Sequence, residues 1–389
     1  MKTGIKSART LFPATKKVKY FFNGGICLIP TPVQTALSEF TDQNGSGFSD
    51  KNWGVWSENV SAAYRLFAGL IGASQSEVVG IPNTSTGTGV FALMIDPKKG
   101  SNVVYDDLTY NTVFPFSLRA KTGVEQRIIR NDRGSIDVGQ FEKAVDDKTS
   151  AVVVSSVSCW NGYRYDLGQL SEIAHAHGAY LVVDAAQHVG AIGLDVKKDG
   201  VDFLATCGHK WLLGPPGTGF MYVRGDLISK FDPPLPGWMG IDDPGGYEMW
   251  KPTFPRTALR YETGMPSMML LGGMRASLEL INKLEPASIE REVLRRSGYL
   301  IEKLSDTGVD VFTPTEKEHR AGLVTFLLKN HQQLFAELSK NSFVVFHHPE
   351  TVVENMHWTN GGFRIDPTFF NTFEEIDDLV DHVRKWSRR

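Results

Sequence analysis

Residues 179–224 read AYLVVDAAQHVGAIGLDVKKDGVDFLATCGHKWLLGPPGTGFMYVR, and this stretch decides the fold. It holds two short apolar runs, Ala179–Asp184 and Phe203–Thr206, and polar residues follow each of them at once. Such runs are typical of strands that are buried on both faces. A third strand is predicted at Gly219–Val223.

The same alternation continues upstream. Ser150–Val157 is another apolar run rich in β-branched residues, and Asp166–His177 carries apolar residues at helical spacing until Gly178 stops it. Strand–helix–strand alternation predicts a mostly parallel sheet covered by helices. Ligands of such sheets bind at the carboxyl ends of the strands. Both Asp184 and the tetrad Cys207–Lys210 are predicted to lie at such ends.

The pattern changes after a Pro/Gly-rich stretch, Asp232–Gly246, which we interpret as a long loop. Two helices are predicted next, at Met268–Leu284 and Pro286–Leu304, and then a strand at Gly322–Leu328. A capping box at Thr372–Glu375 begins a final helix. We therefore expect an N-terminal segment (1–25), a large α/β domain (26–262) and a smaller α+β domain (263–389).

Composition excludes several classes of protein. The 389 residues include 41 Lys+Arg and 44 Asp+Glu, for a net charge of −3, so we expect neither nucleic acid nor a membrane as partner. The three cysteines, Cys27, Cys159 and Cys207, are too few and too scattered for a disulfide framework or a zinc site. We expect a reducing, cytoplasmic location. The basic first 25 residues leave a transit peptide open, although a solvated basic end is favoured.

The residue types at the strand ends point to one cofactor. Lys210 stands between a histidine and a tryptophan just after an apolar strand, and partial desolvation would lower its pKa and make it a nucleophile able to form a Schiff base. Asp184 ends a buried strand, where a carboxylate needs a cation or a donor. A protonated pyridine nitrogen would satisfy it, and Gln187 could donate to a phenolate oxygen. These features predict a pyridoxal 5′-phosphate (PLP) site.

The run from Asp166 to Arg224, and more loosely the chain from about Tyr20 onward, resembles the class V aminotransferase family. That family includes cysteine desulfurases, C–S lyases, aminotransferases, isopenicillin N epimerases and kynureninases. The resemblance implies PLP fold type I, with a mainly parallel seven-stranded sheet and a smaller C-terminal domain, and a homodimer with sites at the interface. It implies an α-amino acid substrate.

The resemblance also implies roles for individual residues. Lys210 would hold PLP covalently and move a proton at the substrate Cα, and Asp184 would pair with the pyridine nitrogen. Gln187 would contact the 3-oxygen, and Arg364 would bind the substrate's α-carboxylate. The remaining cofactor contacts would be His209, Ser85 and Thr86 on the phosphate and Tyr110 stacked on the ring.

Each of the weaker assignments has a structural alternative. For Ser85 and Thr86 the alternative is a polar helix cap, and which of the two binds phosphate is open. For Tyr110 it is a core aromatic, and for Arg364 a surface salt bridge, against which the carboxylate role is favoured. The run Gly214–Gly219 resembles the start of a P-loop, but Phe220 and Met221 follow instead of Lys and Ser/Thr, so we interpret it as a turn before a strand. No metal is expected, because the histidine pairs 175/177 and 347/348 lack ligand spacing.

Departures from the family pattern bear on the reaction. Desulfurases carry a catalytic cysteine upstream of the carboxylate-binding arginine, but this chain has no cysteine after Cys207, and Pro349 stands in the matching region. Met265 replaces a threonine that in relatives reaches the neighbouring subunit's phosphate. We therefore expect an aminotransferase, with a C–S lyase or another eliminating or epimerising enzyme as the alternative. A desulfurase, a non-catalytic scaffold and an ATPase are disfavoured.

Overall fold

The fold is described from a computed structural model, and the description covers residues 4–47, 49–243, 251–349 and 361–387. The strands are Lys19–Tyr20 (β1), Val78–Ile81 (β2), Asn102–Asp106 (β3), Glu125–Ile129 (β4), Thr149–Ser155 (β5), Tyr180–Asp184 (β6), Phe203–Cys207 (β7), Gly219–Val223 (β8), Asp310–Val311 (β9), Val324–Leu327 (β10), Phe343–Val344 (β11), Phe346–His348 (β12) and Gly362–Ile365 (β13). The α-helices are Thr31–Gly45 (α1), Asp50–Leu70 (α2), Thr84–Ile95 (α3), Phe114–Ser117 (α4), Gly139–Ala144 (α5), Leu167–Ala176 (α6), Gly225–Ile228 (α7), Met268–Leu284 (α8), Pro286–Ser305 (α9), His331–Lys340 (α10) and Phe373–Ser387 (α11). Short 3-10 turns complete the fold.

The central sheet has seven strands in the order β2-β8-β7-β6-β5-β3-β4. The pairs from β4 through β7 are parallel, and β8 runs antiparallel to both of its neighbours. The predicted fold class, with its mainly parallel seven-stranded sheet, is therefore confirmed. Because β6 and β7 are adjacent and parallel, their carboxyl ends, at Asp184 and Cys207, lie side by side.

A second sheet, β12-β13-β10-β9, is antiparallel in all its pairs and lies in the C-terminal part of the chain. Its apolar residues form a separate core with α9, α10 and α11. The capping box begins α11 as predicted, since Thr372 N donates to Glu375 Oε2 at 3.1 Å and Glu375 N donates to Thr372 Oγ1 at 3.2 Å. Residues of α8 and the first half of α9 belong to the larger core. The boundary at residue 262 stays a prediction.

The N-terminal strap, residues 19–27, joins the two sheets. Its β1 pairs in parallel with β11, Phe21 is buried in the smaller core, and Phe22 forms a bridge with Asp366 beyond β13. Further along, Cys27 N donates to the carbonyl of His209 at 2.7 Å. The strap therefore crosses the carboxyl edge of the large sheet.

The loop predicted after residue 232 is described only as far as residue 243, where it contains the short turn Trp238–Gly240. The rest of that predicted loop, 244–246, lies outside the described residues. Within the described part of the chain, no helix combines the length and the apolar content needed to cross a membrane.

Candidate active site

A cavity of about 440 Å³ opens at the carboxyl ends of the central strands. It lies between the strap, the start of α3, the segments that follow β3, β5, β6 and β7, and strands β12 and β13. Its lining consists of Phe22, Gly24, Gly25, Asn83, Thr84, Ser85, Tyr110, Asn111, Thr112, Cys159, Trp160, Asp184, Ala186, Gln187, Cys207, His209, Lys210, Phe346, His348 and Arg364.

Asp184 is the last residue of β6 and is 5% exposed. Its Oδ2 accepts a hydrogen bond from the Thr112 hydroxyl at 2.6 Å, and its Oδ1 accepts one from the backbone N of Ala186 at 2.9 Å. Burial raises the pKa of this carboxyl group, and the two donors and the charge of Lys210 oppose that rise. Sequence reasoning missed Thr112, which fixes the carboxylate from a turn far away in the chain.

Lys210 follows β7 by three residues and is half-buried. It is the one lysine in the described lining of the cavity. Its Nζ lies 5.8 Å from the centroid of the Tyr110 ring. Tyr110 is 41% exposed at the cavity and its backbone N donates to Ser155 Oγ at 3.0 Å, so the alternative of a core aromatic does not hold.

Gln187 is held by two partners. Its Nε2 donates to the Gly24 carbonyl at 2.8 Å, and its Oε1 accepts from Trp211 Nε1 at 2.9 Å. One amide N–H therefore stays uncommitted among these bonds. His209 has a buried Nδ1 with no hydrogen-bond partner among the described residues, and burial and the Lys210 charge lower the pKa of its ring. A ligand with oxygen atoms would satisfy both groups.

At the amino end of α3 the two candidate phosphate residues, Ser85 and Thr86, make different contacts. Asn83 caps the helix, and its Oδ1 accepts from the backbone N of Thr86 at 2.9 Å and from the Thr86 hydroxyl at 3.1 Å. Thr86 is therefore committed to the cap and lies outside the lining, whereas Ser85 lines the cavity. The sequence alone could not separate adjacent residues in one helical turn.

Arg364, on β13, is 5% exposed, so the alternative of a surface salt bridge is wrong. Its Nε and Nη2 donate to the two carboxylate oxygens of Asp366 at 2.9 and 3.2 Å, and its Nη1 donates to the carbonyl of Cys159 at 3.0 Å. Sequence reasoning missed Asp366, which is fully buried. The Arg-x-Asp spacing was a usable signal, because residues i and i+2 of an extended segment face the same side.

All three cysteines are buried. Burial raises the pKa of the Cys27 thiol to about 12 and that of Cys159 to about 11, and it also raises the pKa of Cys207. Cys159 and Cys207 line the cavity, but at physiological pH they are thiols and not thiolates.

Aromatic side chains cover the wall that faces the smaller sheet. Phe22 of the strap stacks on Phe346 with ring centroids 5.6 Å apart, and Trp160 lies 6.3 Å from the ring of His348. Burial, together with Arg364, lowers the pKa of His348 to about 3, so its ring is neutral at physiological pH. None of these four residues was singled out as a ligand contact from the sequence.

The remaining motifs have ordinary roles. Gly214–Gly219 is the turn that enters β8, as expected. His175 Nε2 lies 2.8 Å from Asp202 Oδ2, and His177 Nδ1 lies 2.7 Å from Asp147 Oδ1. Met265 is 62% exposed.

A parallel sheet with a buried aspartate and a lysine at adjacent strand ends defines the class of PLP-dependent fold type I enzymes. The family model described as Aminotransferase class-V matches residues 19–379, and the chain belongs to this family. Family members are PLP-dependent enzymes, and so is this protein.

Individual relatives carry different names. The chain is 27% identical over 375 residues to an uncharacterized aminotransferase, YcbU, of Bacillus subtilis (96% of each chain), and 29% identical over 375 residues to a probable cysteine desulfurase of Methanothermobacter thermautotrophicus (92% of this chain, 91% of the other). Among solved structures, the apo cysteine desulfurase of Thermococcus onnurineus superimposes with a TM-score of 0.90 at 27% identity, covering 98% of each chain. These relatives share the family, but their names differ, so the reaction is left open between amino transfer and desulfuration.

Proposed function

We propose that the protein is a PLP-dependent aminotransferase whose amino donor is an α-amino acid. One observation carries the proposal: the cavity holds Lys210, Asp184 and Arg364 together, while all three thiols are buried, which raises their pKa values. A lysine, a carboxylate and an arginine are what amino transfer needs. A desulfurase needs in addition a thiolate that can reach the substrate, and buried thiols of raised pKa do not supply one.

The lining residues fit PLP. The bound cofactor supplies an electron sink that stabilises negative charge at the substrate Cα. We assign its covalent attachment to Lys210 and the contact with its pyridine nitrogen to Asp184, whose carboxylate keeps lone pairs beyond those used by Thr112 and Ala186. The free amide N–H of Gln187 is assigned to the 3-oxygen.

The phosphate contacts are assigned to Ser85, the first backbone N–H groups of α3 and the unsatisfied Nδ1 of His209. Thr86 is left out, because its hydroxyl already donates to Asn83. Tyr110, exposed at the cavity beside Lys210, is assigned to the face of the ring. The homodimer, the cytoplasmic location and the domain boundaries expected from the sequence stay predictions.

The chain's own groups divide the reaction between them. Arg364 binds the substrate's carboxylate and so orients the Cα–H bond. The amine of Lys210 would take the proton from the substrate Cα and later return a proton. Asp184 would face the ring nitrogen, and the hydrogen bonds from Thr112 and Ala186 hold its carboxyl group in place and oppose the rise in its pKa caused by burial.

β-Elimination is the second candidate, because it uses Lys210, Asp184 and Arg364 in the same first step at Cα. It needs in addition an acid for the leaving group. His348 lines the cavity, but burial and Arg364 lower the pKa of its ring to about 3, and a neutral imidazole is too weak an acid for this task, which favours amino transfer.

Single-turnover experiments separate the two. The holoenzyme is mixed with each of a panel of amino acids, and the products are identified. Amino transfer predicts one 2-oxo acid per site, with continued turnover only when a second 2-oxo acid is added. Elimination predicts ammonia and a 2-oxo acid in continuous turnover without any acceptor. Release of ammonia without an acceptor, for the best substrate of the panel, would refute the aminotransferase assignment.

A further inference from the structure

We propose that Asp366 is a positioning residue that sets which edge of the Arg364 guanidinium meets the substrate carboxylate. The inference rests on the proposed role of Arg364 in substrate binding. It assigns to Asp366 a part in specificity: the enzyme distinguishes a planar α-carboxylate from a neutral group of the same size because Asp366 presents one fixed fork of donors.

The guanidinium of Arg364 carries five N–H groups. Asp366 accepts two of them, from Nε and Nη2, along the side of the fork. The carbonyl of Cys159 accepts a third, from Nη1. Two N–H groups remain, one on each terminal nitrogen. The proposal requires that the Cys159 carbonyl takes the outer N–H of Nη1, so that this remaining pair lies at the end of the guanidinium. A carboxylate can accept both at once, which is the strongest geometry that an arginine offers.

The plane of the guanidinium is fixed as well as its edge. The ring of Phe346 lies 4.8 Å from Cζ, so one face of the group is covered by an aromatic side chain. Asp366, Cys159 and Phe346 come from three different segments of the chain. The arginine therefore has one orientation available, and it lines the cavity in that orientation.

Asp366 is itself held in place by the strap. It is fully buried, its Oδ2 accepts from the backbone N of Gly24 at 2.8 Å, and its backbone N donates to the carbonyl of Phe21 at 2.9 Å. A Cβ added at Gly24 would lie 2.8 Å from Asp366 Oδ2 and 3.0 Å from Gln187 Oε1. The strap thus fits closely against both carboxylate and amide, and only glycine leaves them undisturbed.

The ion pair of Arg364 with Asp366 also affects specificity. Burial raises the pKa of the Asp366 carboxyl group and the Arg364 charge opposes that rise. The pair, formed before any substrate arrives, offsets part of the charge of the arginine. What remains is the directional fork, which a carboxylate satisfies with two oxygens and a carboxamide satisfies with one. Recognition by shape rather than by net charge follows from the buried pair.

The test measures discrimination between the most active amino acid of the panel and its α-carboxamide. For each holoenzyme, the association constant (1/Kd) comes from titration of the visible absorbance and kcat/KM from initial rates, both as ratios of acid to amide. Loss of the Asp366 charge by itself favours the acid. The expected fall of both ratios in Asp366→Asn and Asp366→Ser, at least tenfold and mainly through KM, therefore reports the lost orientation of the guanidinium. Because the same two compounds are used throughout, differences in their amine pKa cancel.

Two further variants isolate the mechanism. Arg364→Lys combined with Asp366→Asn should discriminate no worse than Arg364→Lys alone, since both act through one fork. Asp202→Asn is the matched control: Asp202 is also fully buried and pairs with Arg224, but it precedes β7 at the opposite edge of the sheet. Its ratios should equal those of the wild type. Gly24→Ala approaches Asp366 from the strap and should lower the ratios even if neither Asp366 variant folds.

The outcomes are distinct. If the wild type discriminates, but the Asp366 variants or Gly24→Ala do so equally well, Asp366 is only structural and the inference is overturned. Additive losses in the double variant overturn it too. If the wild type accepts acid and amide alike, or no amino acid reacts, the role of Arg364 is wrong and the proposed function fails together with this inference.

Discussion

Removing the cysteines tests the central distinction between sulfur relay and amino transfer. The perturbation is replacement of Cys27, Cys159 and Cys207 together by Ala. A desulfurase forms a persulfide when a thiolate attacks the substrate's sulfur, so the rate scales with the thiolate fraction of the acceptor. If no cysteine takes part, the variant should keep most of its activity on the best amino acid of the panel.

The magnitude follows from the thiol environments. The pKa of Cys159 is raised from 9.0 to about 11 by burial, and that of Cys27 to about 12. A pKa raised by two units leaves about a hundredfold less thiolate at a given pH than an ordinary cysteine has, and a pKa raised by three units leaves about a thousandfold less. Alkylation of Cys27 and Cys159 by iodoacetamide at pH 8 should therefore be at least about a hundredfold slower in the native protein than in the urea-unfolded chain.

The assay for sulfur is direct. The holoenzyme is incubated with L-cysteine, and intact-mass and peptide spectra are searched for an added sulfur on each thiol. We expect none: cysteine consumed by amino transfer should appear as its 2-oxo acid with the sulfur retained, and cysteine consumed by elimination as free sulfide, pyruvate and ammonia. A persulfide on Cys159 or Cys207, together with loss of activity in the triple variant, would refute the reasoning and restore the desulfurase assignment.

Three further perturbations test the site and its electrostatics. Borohydride reduction of the holoenzyme should leave a pyridoxyl group on Lys210, and Lys210→Ala should carry none and lose turnover; an adduct on another lysine would contradict the assignment. Asp184→Asn keeps the acceptor for the backbone N of Ala186 but loses the charge. Deprotonation at the substrate Cα, measured by deuterium exchange, should therefore slow about 10²–10³-fold, while the stability of the apo protein changes little. Near wild-type exchange would disprove this role. Glu262→Gln should stabilise the protein by up to about 3 kcal/mol at pH 8 and much less at pH 5 in urea unfolding, and equal gains at both pH values would contradict it.

The sign of the Glu262 effect follows from its surroundings. Burial raises the pKa of this carboxyl group from 4.5 to about 7, against a hydrogen bond from the Tyr64 hydroxyl that lowers it. A raised pKa means that the folded state favours the protonated form, so its contribution to stability is complete below pH 4.5 and is lost as the pH rises through about 7. A glutamine accepts the same hydrogen bond without acquiring charge.

Local patterns predicted much of the large sheet. The run Gly219–Val223 became β8 with the predicted bounds, and Met268–Leu284 became α8. Adjacent parallel strands then made it predictable that Asp184 and Lys210 lie at one edge. The antiparallel direction of β8 was not predictable from its composition, because a buried strand is apolar in either orientation.

The contacts that complete the site could not be predicted, because they join distant parts of the chain. Gly24 reaches Asp366 across 342 positions, and Thr112 reaches Asp184 across 72. No periodicity records such pairings, which arise only when the strap crosses the sheet edge. The predicted division after Gly25 would have cut the strap in two.

The positions of the cysteines, taken alone, would have suggested a different reaction. Two of the three line the cavity, which on position alone makes Cys159 and Cys207 suitable sulfur acceptors. Their burial argues the other way, since it raises the pKa of both thiols in spite of the Lys210 charge nearby, and Cys207 is fixed as the last residue of β7. Relatives of the same fold carry desulfurase names, so the fold does not select the reaction. On this reasoning the selection lies in the wall opposite the sheet, where this chain places no cysteine but aromatic side chains and the Arg364–Asp366 pair.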